Sequence, residues 1–401
     1  MPVDEFIRRA MGERRELAPF VPALLEVFGR YSRALFQSRE AARHPELLAL
    51  AYWLRPAELE RLKAQFQNAI PGETVVMPRG RVFHIPPGNV DTIFVYSFVL
   101  AALMGNTNII RLSDRTSPQT DILVDILRRE METSSAFEGL VSVVRYGHDA
   151  EVTTALSAFC DIRVIWGGDH TVRAIRASPL PPHAVELVFP DRYSLAAIDA
   201  PAYLALDDRG RAGIASDFFN DAFWFDQMAC SSPRLVAWCG SQEETGRASG
   251  LFWEILESEM ARRRYIAQPA VSVRRLGFSC DAAADLKLTT HKHGSFFTRL
   301  GVSALADFSR EHCGGGVFFE VVVDGLEGLV PFVTRREQTI SYFGFGRARL
   351  VEFAGQLLSR GVDRIVPMGQ ALKFGRFWDG YDLLMSFGRH IHIVDPPRLI
   401  R

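Results

Sequence analysis

The sequence predicts an α/β protein in which doubly wound, parallel sheets follow a helical amino-terminal region. Three observations carry that expectation. From Arg79 onward, short strand-like runs alternate with helical ones. Turn residues, chiefly Gly and Pro, punctuate the alternation. The two most distinctive loops, 86–89 (Pro-Pro-Gly-Asn) and 167–168 (Gly-Gly), stand where predicted strands end. Open parallel sheets bind ligands at the carboxyl ends of their strands, so both loops are candidate nucleotide sites.

The elements follow in order. In residues 1–70, Leu17, Val21, Leu24, Leu25 and Phe28 fall on one helical face, and Pro71-Gly72 closes the region. Residues 81–85 read as a strand, 92–104 as an apolar helix closed by Gly105-Asn106, and 107–112 as the next strand. Ser113 or Thr116 then caps a helix running to about residue 129, because a side-chain oxygen there accepts an otherwise unpaired backbone N–H. Strand 140–145, helix 150–158, strand 161–166 and helix 171–177 continue the alternation. Apolar segments follow at 185–189 and 195–198, and 234–238 reads as a further strand.

Length and composition bound the rest. A chain of 401 residues is long enough for two or three domains. With 48% hydrophobic and 23% charged residues it reads as globular. A formal net charge of -1 gives no electrostatic case for nucleic acid or an anionic membrane as partner. Its 5 cysteines are scattered and form no Cys-x-x-Cys pair, which excludes a disulfide framework and a zinc knuckle as readings. Glu5, Arg8, Arg9 and Glu13 interrupt any signal-like apolar run, and the apolar stretch 93–104 is about half of what a membrane span needs. A cytoplasmic location and no membrane span are expected.

Cys230 is the candidate nucleophile. It lies between Ala229 and Ser231-Ser232, after a polar run and just before the strand 234–238. At such an element end, backbone N–H groups can lower a thiol pKa and hold an oxyanion. A buried small residue is the plain alternative. The paired histidines His291/His293 and His390/His392 have no converging Cys or carboxylate set, so no metal is expected. Gly344-Phe345-Gly346 lacks the third glycine of a dinucleotide fingerprint and reads as a strand running into a helix. Gly314-Gly315-Gly316 reads as a hinge or hairpin. The phenylalanines are mostly core, although some could line an acyl tunnel.

Five motifs in order resemble the aldehyde dehydrogenase superfamily. They are Pro87-Gly88-Asn89; the segment 105–114 with Gly105-Asn106-Thr107, Arg111, Ser113 and Asp114; Gly167-Gly168; Asp226-Gln227-Met228-Ala229-Cys230; and Pro367-Met368-Gly369 with Lys373 and Gly375. Within it, the Cys loop is similar to that of acyl-CoA reductases of the bacterial bioluminescence type. That resemblance implies two doubly wound domains: residues 1–205 with the helices and a cofactor domain, 206–370 with the catalytic Cys, and 371–401 as a return segment.

The resemblance also implies roles. Cys230 would attack an acyl thioester while Asn89 and the Cys230 N–H hold the oxyanion; Asn89 is equally natural as a turn residue. Pro87, Gly88, Arg111, Ser113, Asp114, Gly167 and Gly168 would bind the cofactor. Arg111 suits the 2′-phosphate of NADP, whereas Asp114 leans towards a free ribose hydroxyl; NADP is the expectation. Glu186 stands where hydrolytic relatives keep a general base, and an ion pair is its alternative. Glu337-Gln338 could approach the nicotinamide ribose. The implied substrate is an acyl-CoA or a carrier-bound acyl group, with an acyl-activating synthetase as a partner and a homo-oligomer as the assembly. The rival readings are an aldehyde dehydrogenase that forms an acid, for which Glu186 must act as base, and a non-catalytic subunit of an acyl-transfer complex.

Overall fold

A computed structural model describes residues 5, 7–8, 12, 15–88, 90–114, 117–305, 308 and 310–394. Asn89 therefore lies outside the described residues. The chain divides into two compact units, residues 1–190 with 374–401, and residues 191–373.

In the first unit, helices Pro22–Gln37, Pro45–Trp53 and Pro56–Ala69 form the expected helical region. Each starts on a proline, whose missing N–H costs nothing in a first turn. Leu17, expected on the first helical face, instead precedes that helix, and its N–H donates to the Gly105 carbonyl at 3.0 Å. Strands β1 (Thr74–Pro78), β2 (Arg81–Ile85), β3 (Thr107–Leu112), β4 (Val141–Arg145), β5 (Ile162–Trp166) and β6 (Val185–Phe189) follow. Five of them make a parallel sheet in the order β4-β3-β2-β5-β6. The helix Ile93–Leu103, apolar on every side, is buried along its whole length, which is why it carries no amphipathic stripe. Helix Pro118–Glu132 is capped by Ser117, a position the sequence reading placed at Ser113 or Thr116.

The second unit holds β7 (Tyr193–Asp199), β8 (Pro233–Cys239), β9 (Leu288–His293), β10 (Thr298–Val302), β11 (Val317–Val323), β12 (Glu337–Phe343) and β13 (Arg364–Pro367). They form one sheet in the order β13-β12-β7-β8-β11-β10-β9, parallel except for β9. Every residue of β8 is buried, as a central parallel strand requires. Separate apolar clusters cover the two faces, one built around Phe218, Phe252 and Trp253, the other around Phe319, Phe332 and Phe353. Gly344-Phe345-Gly346 does connect a strand, β12, to a helix, Arg347–Leu357.

Strands β14 (Phe377–Trp378), β15 (Tyr381–Asp382) and β16 (Gly388–His392) return to the first unit, where β16 pairs antiparallel with β1. The division after Pro190 replaces the expected one after residue 205, because β7 hydrogen-bonds into the second sheet between β12 and β8. The second crossing falls after Lys373, not after residue 370. No described helix is long and apolar enough to cross a membrane.

Candidate active site

The first sheet reverses its direction of growth between β2 and β5: β3 and β4 extend it one way, β6 the other. Such a switch point leaves a crevice at the strand carboxyl ends. A cavity of about 380 Å³ lies there, and among its lining residues are Pro87, Gly88, Arg111, Ser113, Gly167 and Gly168. Six residues singled out in three separate stretches of sequence thus meet in one groove. His148, Trp166 and Thr171 also line it, which sequence reasoning had not found.

Local forces explain the groove. Trp166 stacks on Phe189 with 3.7 Å between ring centroids, fixing the ends of β5 and β6. The Gly167 N–H donates to the Phe189 carbonyl, and a side chain at Gly167 would press on Thr171, with its Cβ 3.1 Å away. At Gly88 a Cβ would meet no atom within 4 Å, so that loop leaves open space beside its backbone. Arg111 donates from Nη2 to the Gly147 carbonyl at 2.8 Å and lies over the Tyr146 ring. Asp114 stands against the same glycine, so a cation and an acid flank it. A nucleotide fits this donor set: open glycine backbone for a pyrophosphate, a guanidinium for a phosphate, and a flat Trp face.

Glu186 does not join that groove. It sits near the amino-terminal end of β6, opposite Arg163 of β5. One carboxylate oxygen accepts from Arg163 Nε and Nη2 at 3.0 and 2.6 Å; the other accepts from Arg176 Nε at 2.6 Å. Arg163 is only 3% exposed, and a buried cation needs such a partner. Both oxygens are engaged in ion pairs, the alternative weighed against a general base at this position.

Cys230 lies in the second unit, ahead of β8. The helix Asp208–Phe223 ends there, and Asp226 and Gln227 take φ values of 47° and 62°, a left-handed pair that turns the chain. Gln227 pins this turn. Its oxygen accepts from the N–H groups of Gly316 and Val317, both at 3.0 Å, and its Nε2 donates to the carbonyls of Pro233 and Val317 at 2.9 and 2.8 Å. Those four bonds use the full capacity of a carboxamide. The glycine run is no hairpin, since β10 and β11 pair in parallel: it leads into β11 and packs under the Cys loop. All three of its glycines have φ between 66° and 85°, and a Cβ at Gly314 would fall 2.4 Å from Met228 Sδ. Only glycine combines that conformation with that clearance.

The surroundings of the thiol are polar and charged. Ser194 Oγ donates to the Cys230 carbonyl at 2.7 Å, and Gln338 Nε2 donates to the Cys230 sulfur at 3.2 Å. Arg234, 3% exposed, donates to the carbonyls of Arg192 and Ala229, while its Nε makes no hydrogen bond. Burial lowers the Arg234 pKa; Tyr193, Cys230 and Asp191 act in the opposite sense. A buried guanidinium lacking a bonded carboxylate thus lies in the field of the thiol, where it favours thiolate. A lone Arg in the otherwise apolar strand 233–239 was the sequence signal for it. Glu337, by contrast, spends its carboxylate on Arg310 and on the Thr334 N–H and hydroxyl.

Burial pushes Cys160 and Cys239 up to about 12, and raises Cys313 as well. Cys280 is exposed on the helix Pro269–Asp285. Among the described residues no group of three or more His, Cys, Asp or Glu could hold a metal ion.

Comparisons with known proteins bear on the family and the fold. The family model described as Acyl-CoA reductase (LuxC) matches residues 55–269. A long-chain acyl-protein thioester reductase of Photorhabdus laumondii is 26% identical over 301 residues, covering 73% of this chain and 58% of that protein. One from Vibrio harveyi is 23% identical over 330 residues, covering 80% and 65%. The chain thus spans less than two thirds of the length of these relatives. Among solved structures, an oxidoreductase from Marinobacter aquaeolei superposes with a TM-score of 0.67 at 12% identity, covering 98% of this chain and 90% of that one. A candidate aldehyde dehydrogenase from Burkholderia cenocepacia gives 0.64 at 14% identity, covering 92% and 85%. The fold is therefore aldehyde dehydrogenase-like, and the chain belongs to the LuxC family of acyl-CoA reductases.

Proposed function

We propose that this chain reduces an acyl thioester to an aldehyde through a covalent intermediate on Cys230, with NADPH as the reductant. The observation that carries the reading is the placing of Cys230, in a chain of this family, beside a buried Arg234 and under the Gln338 carboxamide. The Cys230 thiolate adds to the thioester carbonyl and forms a C–S bond. The carrier thiolate then leaves with the electron pair of the old C–S bond and takes up a proton. Asn89 and the Cys230 N–H are the oxyanion donors in this reading, which lower the barrier most when fixed in a dry site. When bound, the nicotinamide contributes one hydride to the acyl carbon. The alkoxide so formed re-forms its C=O bond as the C–S bond breaks, which releases the aldehyde and returns Cys230 as thiolate with that electron pair.

The groove of the first unit supports the cofactor assignment. Gly167, Gly168, Pro87 and Gly88 would meet the pyrophosphate and ribose through backbone, with Ser113 nearby. Arg111 would meet the adenosine end, and its fork suits a 2′-phosphate. The substrate is an acyl-CoA, or an acyl group handed over on a synthetase or carrier thiol. The acid-forming rival loses its base, since Glu186 is held by Arg163 and Arg176.

Single-turnover mass spectrometry with a panel of acyl-CoA thioesters tests the reading. The expected result is one acyl adduct, on Cys230, that NADPH discharges as aldehyde, and no adduct in Cys230→Ala. Acylation of another cysteine with Cys230 unmodified would overturn it.

A further inference from the structure

We infer that Gln338 is a catalytic residue of this chain, the side-chain donor that stabilises the Cys230 thiolate. The inference rests on the nucleophile reading above and adds the group that makes the nucleophile available.

Four observations lead to it. First, the Gln338 side chain is fully buried, and burying a carboxamide is unfavourable unless its atoms are bonded. An apolar residue would fill the position at lower cost. Second, its Nε2 donates to the Cys230 sulfur. A thiol sulfur is a weak acceptor, whereas a thiolate is an anion that accepts a charge-assisted bond. The contact therefore favours the ionised form selectively.

Third, the orientation of the amide is set by neighbours. Thr339 Oγ1 donates to Gln338 Oε1 at 3.3 Å, which leaves the nitrogen turned towards sulfur. Fourth, the strand is built to aim it. The pairing of β12 with β7 shifts register between Glu337 and Ile340, an irregularity that re-aims side chains. At the same place the Thr339 N–H donates to Ser194 Oγ, which in turn donates to the Cys230 carbonyl. One short network thus fixes the Cys backbone from β7 and its sulfur from β12.

Of the charged and titratable groups near the thiol, Arg234 stands on β8, and its field is shared by Tyr193, the first residue of β7, and by Asp191 just before that strand. On β12, Glu337 is neutralised by Arg310. His312 lies in the field of Arg234. Arg234 supplies charge to the site and Gln338 supplies the directed bond.

The test is the pH dependence of Cys230 alkylation by iodoacetamide, resolved by site with mass spectrometry, with exposed Cys280 as the internal control. Gln338→Leu is expected to raise the Cys230 midpoint by about one to two pH units, the effect of losing one hydrogen bond to a charged group. Gln338→Glu, which places a carboxylate on the sulfur, should raise it at least as far, and Cys280 should not move. If Gln338→Leu fails to fold, Gln338→Glu and Thr339→Val carry the test; the latter keeps the amide and removes the hydroxyl that orients it, and a smaller rise is expected. Unchanged midpoints in the folded variants would overturn the assignment. Alkylation needs no acyl substrate, so a wild type that alkylates as expected but never acylates at Cys230 would sink the reductase reading alone.

Discussion

Glu186 shows how a single carboxylate changes meaning once its partners are known. The family resemblance suggested a base or an ion pair, and its two oxygens serve Arg163 and Arg176. Arg163 would be left buried and unmatched in Glu186→Ala, and breaking such a pair costs about 3–5 kcal/mol. The exposed Arg176 adds little. Urea unfolding should show that loss, while acyl transfer per folded molecule stays near wild type. A variant of native stability with acyl transfer abolished would restore Glu186 as a base. Arg111 poses the opposite question, since its side chain does line the groove. Arg111→Ala should weaken NADPH by about 1.5–3 kcal/mol, the worth of one charged hydrogen bond, and NADH by less. Fluorescence titration with both nucleotides decides it, because equal weakening would mean that Arg111 grips the shared ribose.

At the scale of elements, the helix Asp208–Phe223 does more than precede the Cys loop. Its Asp221, 1% exposed, accepts from the N–H groups of Gly369 and Ala371 at 2.7 and 2.9 Å, and its carbonyl accepts from Ser232 Oγ. Burial raises the Asp221 pKa from 3.8 to about 7, against the pull of those two N–H bonds. Between these values the folded chain keeps a proton that the unfolded chain has released. The contribution is therefore fully present below the unfolded pKa and is lost as the pH rises through the folded one. Urea midpoints measured at about pH 4.5 and pH 7.5 should fall more in wild type than in Asp221→Asn, which cannot titrate. Parallel falls would place the carboxyl pKa in its ordinary range.

Elements of this kind also show what could be read beforehand. Strand 107–112 and helix 150–158 emerged with the predicted bounds, because each carries its own periodicity and stop signals. The β1–β16 pair did not: its strands are short, partly exposed and joined only by distant chain. The candidate site divides in the same way. Glycine loops at strand ends pointed to the groove, since strand polarity alone places them there. The grip of Gln227 on Gly316 and Val317, and of Gln338 on Cys230, depends on which strands become neighbours, and no local pattern encodes that.

At the scale of the whole molecule, the chain leaves its first unit at Pro190 and re-enters it at Phe374. The return segment is part of that unit's core. Leu383, Leu384 and Phe387 are each at most 1% exposed, and burial of such side chains contributes about 1.5–3 kcal/mol apiece. Asn106, fully buried, binds the Phe387 carbonyl and the Ala101 carbonyl with its nitrogen, and the N–H groups of Arg79 and Gly80 with its oxygen. Tyr96 donates its hydroxyl to the Gly375 carbonyl at 2.6 Å. A chain ending at Lys373 loses all of these, and three apolar side chains alone approach the roughly 5–15 kcal/mol that holds a domain folded. Residues 191–373 form an uninterrupted segment with their own sheet and two apolar clusters, and lose nothing within that unit. Hydrogen exchange followed by mass spectrometry should therefore show protection collapsing across β2–β6 and persisting across β7, β8, β11 and β12. Native protection of β2–β6 in the shortened chain would mean that the return segment only covers a sheet that stands without it.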